Sequence, residues 1–520
     1  MKRFNVTSLC TPEEDYMVDI SEKIEQIKQL VERRCYFTIN RARQYGKTTT
    51  LNTLKKTLSN DYICINLSFE GIGTTMFANA QSFCQRFLWQ LDIATKNNSS
   101  EKIEWQNNEI TDFDELSVHL TKICTGREIV LMIDEVDKAS NHDVFLHFLG
   151  MLRNKFNERK SGTGATFYSV ILAGVHDIKN IKSKMMNERK YTSVESGDKK
   201  YNSPWNIAVN FDVDMSFSST EISTMLKDYE AEHKTGMDIS AISAEIYIYT
   251  SGYPFLVSRI CQHVDEKLNK NWTISGIREA VKIMMTENNT LFDDLFKNLE
   301  NNKDLYNLIY DILITGIKIP FVIGNPIINF GFMYGIIKRD VQDIKVSNKI
   351  FEIIICNYFI SKDSQKERSA KVKGVLQRDI IKDGRFDMEL CLRKFADHYA
   401  EIFRENDIRF WESHGRLIFL SYIRPLINGQ GFYHIESQFT DLRRMDIVVD
   451  FGHDQFIIEL KLWKGEEARQ KAYRQLIGYM DSKKATTGYL LTFDFRKGIK
   501  KQPKIKWVEI AEKHIFDVVI

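Results

Sequence analysis

MDIVVDFGHDQFIIELKLW, residues Met445–Trp463, decides the fold of the C-terminal part of the chain. The stretch predicts two β-strands joined by a polar turn, and side chains alternate between the two faces of a strand. Asp446 therefore lies on one face of the first strand, while Glu459 and Lys461 share a face of the second. If these faces meet, two carboxylates and an ammonium converge on one point.

Two carboxylates and an ammonium at one point suit the hydrolysis of a phosphodiester. Two carboxylates can hold Mg²⁺, or Mn²⁺ in its place, because hard cations prefer oxygen ligands. A lysine beside the metal can orient water and offset the negative charge that develops on a phosphate. An ordinary hairpin carrying a surface salt bridge is the alternative interpretation of so short a motif.

The segments around the hairpin complete an order of helix, strand, hairpin, helix and strand. This order resembles the PD-(D/E)XK nuclease superfamily and implies its α/β, restriction-endonuclease-like fold. By that resemblance Gln475 matches the glutamine that some branches carry on the helix after the core, and Glu412 matches the acid of the N-terminal helix. The predicted flanking elements are Trp411–Ile427, Phe432–Phe439, Ala468–Met480 and Thr487–Phe495.

The same resemblance assigns roles to the hairpin residues. Asp446, Glu459 and Lys461 are implied to be the catalytic core. Asp446 and Glu459 would bind the metal together with the Leu460 carbonyl, and Lys461 would activate water or stabilise charge. Met445 stands where the name of the superfamily has proline, which is a common departure.

Composition places the chain among globular proteins. Its 520 residues are enough for about two to four domains. The net charge is only +2, but residues 461–510 carry 13 Lys and Arg against 5 Asp and Glu. A basic strip beside a nuclease-like centre favours nucleic acid, and DNA first, as a partner. A solvated lysine-rich surface is the alternative.

The cysteines and the hydropathy indicate a cytoplasmic protein. The eight cysteines form no C-x-x-C pair, which argues against a zinc site. Cys64 and Cys356 lie in apolar runs and are expected to be buried free thiols of a reducing compartment. The polar N-terminus does not fit a signal peptide, and no run approaches the 18 or so apolar residues of a membrane span.

A second motif lies near the N-terminus. A strand-like run ends in the segment RARQYGKTTT, and a helical pattern follows, which is the context of a phosphate-binding loop. Gly46 would let the backbone approach a phosphate of ATP, and Lys47 would reach its β and γ oxygens. Thr48 would ligate Mg²⁺, with Thr49 beside it in the site. The strict pattern requires glycine five residues before Gly46, where this chain has Arg41.

An apolar strand supports the nucleotide-binding interpretation. Ile129–Asp137, IVLMIDEVD, runs into adjacent acids, as a Walker B strand does. Asp134 would hold Mg²⁺ through water, and Glu135 would polarise the attacking water. A further apolar strand ends before His176 and Asp177, either of which could sense the γ-phosphate, although His176 also fits a plain loop residue.

Four segments together resemble the bacterial AAA-ATPase-like proteins that carry a C-terminal PD-(D/E)XK domain: INRARQYGKTTTLNTL, IDEVDKA, SPWNIAVNF and TSGYPFLVSRICQ. In that family an arginine-rich loop commonly replaces the first glycine, which accounts for Arg41. Arg259 stands where a lid arginine could reach the nucleotide, or it is a helix-surface residue. Three arginines are candidates for an arginine finger, and the sequence does not choose among them: Arg153, Arg159 and Arg189.

The implied architecture is an AAA-like P-loop NTPase core with a helical lid and a winged-helix-like region, followed by the nuclease-like domain. Whether the winged region contacts DNA or packs on the core is left open. The predicted domains are the core at 1–217, the lid and winged region at 218–362, a linker at 363–387 and the nuclease-like domain at 388–520.

The function that these features predict is ATP binding joined to a Mg²⁺-dependent DNA nuclease, which ATP binding or hydrolysis regulates. The alternative is a nucleotide-dependent switch or scaffold whose C-terminal domain binds nucleic acid or a partner protein without cutting. A weaker possibility is an ATPase that does not hydrolyse ATP because its loop is degenerate. Assembly into a homo-oligomer is left open.

Overall fold

The computed structural model describes most of the chain. It covers residues 2–96, 103–107, 109–140, 142–175, 205–315, 317–322, 324–366, 380–382, 384–402, 412–427, 431–436, 446–452, 454–494 and 503–520. His176, Asp177 and Arg189, which the sequence analysis named, lie outside these residues. The chain forms two compact units, the first of Met1–Met284 with Phe330–Gly335 and the second of Met285–Asn329 with Ile336–Ile520.

The first unit is built on a parallel four-stranded sheet in the order β1-β4-β3-β2. β3 and β4 are buried along their whole length, as expected for parallel strands covered on both faces. The Val209 N–H donates to the Tyr36 carbonyl at 2.9 Å and extends the sheet beyond β1. The strands are β1 (Tyr36–Asn40), β2 (Ile63–Ser68), β3 (Ile129–Asp134) and β4 (Ser169–Gly174).

Helices cover both faces of this sheet. One hydrophobic cluster joins α1 and α2 to one face, and a larger one joins α3, α4 and α5 to the other. The predicted α/β core with a helix directly after the glycine-lysine-threonine loop is confirmed. The helices are α1 (Ser21–Glu32), α2 (Lys47–Leu58), α3 (Ala80–Lys96), α4 (Phe113–Cys124) and α5 (Asp143–Ser161).

Four further helices form the predicted lid in the first unit. The first of them starts at a capping box, in which the Ser218 and Glu221 side chains each accept a hydrogen bond from the other residue's backbone N–H. Gly252 separates two of the helices, and its carbonyl accepts a hydrogen bond from the Phe217 N–H at 2.8 Å. The helices are α6 (Ser219–His233), α7 (Ile239–Thr250), α8 (Pro254–Glu266) and α9 (Ile274–Met285).

The next segment, within the region predicted to be winged-helix-like, contains helices and a β-hairpin. A three-stranded sheet in the order β5-β7-β6 accompanies these helices. The elements are α10 (Thr290–Asn301), α11 (Lys303–Tyr310), β5 (Ile319–Pro320), α12 (Pro326–Met333), β6 (Ile337–Asp340), β7 (Asp343–Val346) and α13 (Lys349–Lys366).

The C-terminal part is a six-stranded mixed sheet in the order β10-β11-β12-β13-β15-β14. β12, β13 and β15 are parallel to one another, and the other pairs are antiparallel. The elements are β8 (Ile381–Lys382), β9 (Arg385–Phe386), α14 (Met388–Ile402), α15 (Glu412–Ile427), β10 (Gly431–Glu436), β11 (Asp446–Phe451), β12 (Asp454–Leu462), α16 (Glu466–Ser482), β13 (Thr487–Phe493), β14 (Lys504–Ile510) and β15 (Lys513–Val519).

Both faces of this sheet carry helices. α16 covers one face, where Leu476 and Met480 join Val448 and Ile457 in a buried cluster. On the opposite face Phe493 lies 5.5 Å, ring to ring, from Tyr399 of α14. Gly415 of α15 contacts the same phenylalanine so closely that an added Cβ would lie 2.7 Å from its ring. The result is the helix–sheet–helix arrangement that the resemblance implied.

Regular structure enters the predicted linker at 363–387. α13 continues to Lys366, and the β8–β9 hairpin lies between Ile381 and Phe386. The charged residues that suggested a linker include lysine and glutamine, which are good helix formers on an exposed surface. The sequence analysis also missed the β14–β15 hairpin. The domain boundaries themselves stay a prediction.

The thiols behave as the sequence indicated. All eight cysteines are free and six are buried, including Cys64 and Cys356. Burial raises the pKa of the Cys64 thiol to about 11, which keeps it protonated at neutral pH. In the described part of the chain, no helix combines the length and the hydropathy that crossing a bilayer requires.

The Gly252→Ala substitution is expected to destabilise the first unit severely. Gly252 has φ of +73°, and an added Cβ would lie 1.9 Å from the Phe217 carbonyl oxygen, which is backbone and cannot swing away. We expect a loss above about 4 kcal/mol in the free energy of unfolding, measured by urea denaturation.

Gly236→Ala is the matched control for this substitution. Gly236 has a similar φ of +75°, and an added Cβ there meets no atom within 4 Å. It should cost only the about 1–2 kcal/mol of left-handed backbone strain. Equal losses in the two variants would show that the contact with Phe217 does not matter.

Candidate functional site

The glycine-lysine-threonine loop places a backbone cradle at the start of α2. Gly46 precedes the helix in a left-handed conformation with φ of 76°. An added Cβ at Gly46 would meet no atom within 4 Å, so the space in front of the helix is open. The first N–H groups of a helix have no intrahelical partner and attract anions. This cradle therefore fits the phosphates of a nucleotide.

Lys47 lies beneath the loop. Its side chain is 6% exposed, and its ammonium donates to the Arg41 and Ala42 carbonyls at 3.0 Å each. Burial lowers the pKa of Lys47, while three nearby carboxylates, Glu135 first, act in the opposite direction. The ammonium thus lies between the loop carbonyls and the carboxylates at the end of β3.

The predicted Mg²⁺ residues meet at the end of β3. The Thr48 hydroxyl donates to Asp134 at 2.6 Å, and Asp134 is 4% exposed. The Glu135 N–H donates to the same carboxylate at 2.9 Å. Burial raises the pKa of Glu135, and the charge of Lys47 opposes this shift. Thr49 lies to the side, where its hydroxyl accepts a hydrogen bond from the Cys10 N–H at 3.3 Å.

Arg41, which replaces a glycine of the strict motif, makes contacts away from the cradle. Its guanidinium lies 5.2 Å from the centre of the Phe211 ring and donates to the Val213 carbonyl at 2.7 Å. A second bond of 2.8 Å goes to the Asn40 carbonyl. The arginine therefore ties the loop to a neighbouring segment, which accounts for its presence at this position.

The other arginine candidates differ in their surroundings. Arg159 donates to the Phe167 and Tyr168 carbonyls at 2.5 and 2.7 Å, a packing role rather than that of a finger. Arg259 donates to Gln262 of its own helix at 2.8 Å. Arg153 lies on α5 and stays a candidate.

Asp137 is a residue of this site that the sequence analysis missed. Its carboxylate accepts a hydrogen bond from the Val175 N–H at 2.5 Å. An added Cβ at Gly174 would lie 3.0 Å from both of its carboxylate oxygens, so a larger residue would crowd this approach. Asp137 thus connects the end of β3 to the end of β4. In the sequence, Asp137 is the third acid of the run IDEVD, and that position could have identified it.

The second site lies on the face of the C-terminal sheet that α16 covers. Asp446 of β11 stands directly opposite Glu459 of β12 in the antiparallel register. Opposite residues of such a pair belong to the same face. The Lys461 ammonium lies 2.5 Å from the Glu459 carboxylate, and their side chains are 20% and 1% exposed.

The remaining predicted residues surround this pair. Leu460 lies between Glu459 and Lys461 with its side chain buried. Gln475 lies on α16, and its amide oxygen is buried with no hydrogen-bond donor among the described residues. Glu412 is the first residue of α15.

A buried group on the same face was missed by the sequence analysis. Asp517 of β15 is 0% exposed and accepts hydrogen bonds from Arg469 and Tyr473 of α16. In the sheet register Glu459 is paired with Leu490, and Leu490 with Asp517, so two strand spacings separate the acids. An aspartate inside the apolar run HIFDVVI was the signal.

The donor set fits a divalent metal only if Asp446 contributes. Among the described side chains, no group of three or more Asp, Glu, His or Cys residues is placed to hold a metal ion. Glu459 with Asp446 and a backbone carbonyl, completed by water, is a set of hard oxygen ligands of the kind that Mg²⁺ takes. Glu459 is buried beside the Lys461 ammonium, and the additional charge of Asp446 is what a divalent cation would balance.

Two family models match the chain. Residues 14–353 match the model of the AAA-like domain, and residues 432–502 match that of the PD-(D/E)XK nuclease superfamily. An uncharacterised WD repeat-containing protein of Synechocystis sp. is 23% identical over 366 residues, which are 64% of this chain. The match spans 28% of the length of that relative.

Solved structures of ATPase type are also similar. The Walker-type ATPase of Pyrococcus abyssi has a TM-score of 0.47 and 11% identity, over 68% of this chain and 99% of that chain. The ORC2 protein of Aeropyrum pernix has a TM-score of 0.32 and 11% identity, over 68% of this chain and 95% of that chain.

Removal of the Lys461 ammonium is expected to destabilise the second unit. Lys461→Ala leaves the buried Glu459 carboxylate without its cation, which should cost about 1–3 kcal/mol in EDTA. Mg²⁺ should recover part of the loss, since a metal that binds only the folded state stabilises it. Urea denaturation with and without Mg²⁺ measures both effects.

Lys471→Ala is the control for this stability measurement. Lys471 is an exposed lysine of α16, and its removal should change the free energy of unfolding by less than about 0.5 kcal/mol. If Lys461→Ala were as stable as Lys471→Ala in EDTA, the ion pair with Glu459 would carry no stability.

Proposed function

Because the chain belongs to the AAA-like family and carries a PD-(D/E)XK nuclease superfamily domain, we propose that it is an ATP-binding, Mg²⁺-dependent nuclease that cuts DNA. ATP binding or hydrolysis in the first unit regulates cutting by the second. The observation that carries the proposal is the β11–β12 register. It sets Asp446 of β11 opposite Glu459 of β12. Lys461 lies two residues after Glu459, on the same face of β12.

The charge of the second site supports phosphodiester hydrolysis. Glu459 and Lys461 neutralise each other at 2.5 Å. A divalent cation held by Asp446 and Glu459 would balance two negative charges. The Lys461 ammonium is then available to the phosphate.

Each residue of the second site has its own role in hydrolysis. Asp446, Glu459 and the Leu460 carbonyl would hold the metal, which would supply an activated water and polarise the phosphate. Lys461 orients the attacking water and stabilises the negative charge on the phosphate oxygens. Water forms the new P–O bond, the bond to the sugar oxygen breaks, and the leaving oxygen takes up a proton. Gln475 acts from the helix above as a positioning residue, and Glu412 contributes from the start of α15.

The first unit supports ATP binding by its own residues. Gly46 and the first N–H groups of α2 receive the phosphates, and Lys47 turns from the loop carbonyls towards the β and γ oxygens. Thr48 and Asp134, already in contact at 2.6 Å, hold the Mg²⁺ of the nucleotide. Glu135 orients the attacking water, for which its raised pKa suits a general base.

A contact between the lid and the nucleotide loop supports regulation. The Tyr253 hydroxyl, at the start of α8, donates to the Arg43 carbonyl at 2.6 Å. The ring of Tyr45 lies edge-on to that of Tyr253 at 4.6 Å, and its hydroxyl is 2.7 Å from Ser216. A change in the loop when ATP binds is therefore transmitted to the lid helices.

DNA cleavage is the first test of the proposal. Purified protein with Mg²⁺ or Mn²⁺ is expected to cut DNA, and EDTA should abolish cutting. Lys461→Ala should lower the cleavage rate at least about 100-fold, as loss of a group that stabilises transition-state charge does. Gel analysis of labelled DNA measures the rate, with an RNA of the same sequence as a second substrate.

Lys471→Ala separates the role of Lys461 from that of basic charge in general. This exposed lysine lies on the helix above the sheet, and its removal should leave the cleavage rate within about twofold. Absence of cutting on every substrate, with ATP binding intact, would contradict nuclease activity and favour a nucleotide-dependent switch or scaffold.

Substitutions of Lys47 and of Glu135 should have different effects on ATP binding and on ATP hydrolysis. Lys47→Ala is expected to lose ATP affinity, because it removes the ammonium placed to contact the β and γ phosphates. Glu135→Gln should retain affinity and slow hydrolysis by about 10²–10⁴-fold. Binding of a fluorescent ATP analogue and release of inorganic phosphate measure the two steps.

Lys56→Ala, an exposed lysine of α2, is the control and should behave as wild type in both assays. Regulation is measured in the same proteins as the effect of ATP and of a non-hydrolysable analogue on DNA cleavage. Cleavage and DNA affinity that respond to neither ligand would contradict the coupling while leaving both activities standing.

A further inference from the structure

Arg469 lies near the start of α16, and a buried carboxylate fixes its position. Its Nε lies 3.1 Å from Asp517 Oδ2 and 3.1 Å from the Tyr473 hydroxyl oxygen, and its Nη2 donates to the same Oδ2. The Tyr473 hydroxyl donates to Oδ2 as well. The side chains of Arg469 and Asp517 are 11% and 0% exposed.

The burial of this ion pair costs free energy that a purely structural role does not explain. A buried ion pair contributes little net stability compared with apolar packing. Asp517 Oδ1 is also buried and accepts no hydrogen bond from the described residues, which adds a desolvation cost. What the arrangement does secure is the direction of the guanidinium, which also lies 5.5 Å from the centre of the Trp463 ring.

The guanidinium stays charged in this setting. Burial lowers the pKa of Arg469, but the hydrogen bond and the negative charge of Asp517 more than offset the effect, so the pKa is raised. An arginine fixed in this way keeps planar N–H groups oriented for a second anion.

A cavity opens beside Arg469 on the same side of the sheet as Lys461. Its volume is about 110 Å³, well above the about 10–15 Å³ that one water needs, so a phosphate group fits. Lys461 and Thr492 are paired across β12 and β13 at its floor. The lining includes Lys461, Trp463, Lys464, Gly465, Arg469 and Thr492.

We propose that Arg469, positioned by Asp517 and Tyr473, binds a second phosphate of the nucleic-acid strand, beside the phosphate on which Lys461 acts. The inference rests on the proposed function and adds a substrate-binding subsite to it. Besides Asp517, Glu466 lies 3.6 Å from the guanidinium, but its side chain is 70% exposed and solvent screens it. Lys464 adds a positive charge at the rim.

Binding without cleavage tests this subsite. The probe is a 3′-labelled single-stranded DNA in EDTA, and fluorescence anisotropy gives its affinity over a range of salt concentrations. Arg469→Ala is expected to weaken binding by about 10-fold or more, because a charge-assisted contact to a phosphate is lost. The slope of log affinity against log salt should fall by about 1.

Arg474→Ala is the matched control. Arg474 is exposed one turn further along the same helix, so the substitution removes the same charge from the same element. It should change affinity by less than about twofold. Arg469→Lys should keep the salt slope and lose affinity, since an ammonium preserves the charge without the planar set of donors.

Tyr473→Phe tests the positioning role more gently than a change of the fully buried Asp517. It should weaken binding several-fold with the salt slope unchanged, at a melting temperature close to that of wild type. A DNA with a 5′-phosphate, compared with the 5′-hydroxyl form, shows whether the subsite takes a terminal or an internal phosphate. A gain from the 5′-phosphate that Arg469→Ala removes identifies the terminal one.

The outcomes separate this inference from the nuclease proposal. If Arg469→Ala matches Arg474→Ala in affinity and salt slope, the subsite is overturned even when wild type cleaves DNA. Absence of any DNA binding by wild type overturns it too. If binding depends on Arg469 but no metal supports cleavage, the subsite stands and the nuclease activity fails.

Discussion

A carboxylate buried at a strand needs a nearby donor or cation, and both candidate sites depend on this constraint. Asp134, at the end of β3, accepts a hydrogen bond from the Thr48 hydroxyl. Glu459 lies against the Lys461 ammonium, and Asp517 against Arg469. In each case the compensating group is one to which we assign a role in the proposed phosphate chemistry. The cost of burying the acid therefore keeps the functional partner in place.

The nucleotide loop shows how neighbouring segments replace a missing glycine. Arg41 takes the place where the strict motif has glycine, and its guanidinium packs on Phe211. Tyr253 of the lid holds the Arg43 carbonyl from the other side. Gly46 has a left-handed conformation directly before α2, and Gln44, which is not glycine, has a φ of 56° in the same loop. The conformation of the loop thus depends on packing against the lid and the sheet more than on glycine content.

Several elements followed from local pattern. Alternation predicted that Glu459 and Lys461 share one face of their strand, and the register sets Asp446 opposite Glu459. The helix after the glycine-lysine-threonine loop and the buried β3 strand were likewise predicted. Regular structure extends into the predicted linker because the helix continues to Lys366, and charge alone does not separate an exposed helix from a loop. The β14–β15 hairpin was missed, and with it Asp517.

The sequence by itself determined the two chemical motifs and the strands and helices that carry them, because alternation and loop chemistry are local properties. It determined that Lys461 lies on the same face as Glu459, and the strand register then placed Asp446 opposite Glu459. Only the tertiary structure decided that Asp517 and Arg469 meet. β15 lies beside β13 through a parallel pairing, and α16 crosses above both, so their contact depends on long-range packing. The approach of Asp137 to Val175 was decided in the same way, by the placement of β4 beside β3.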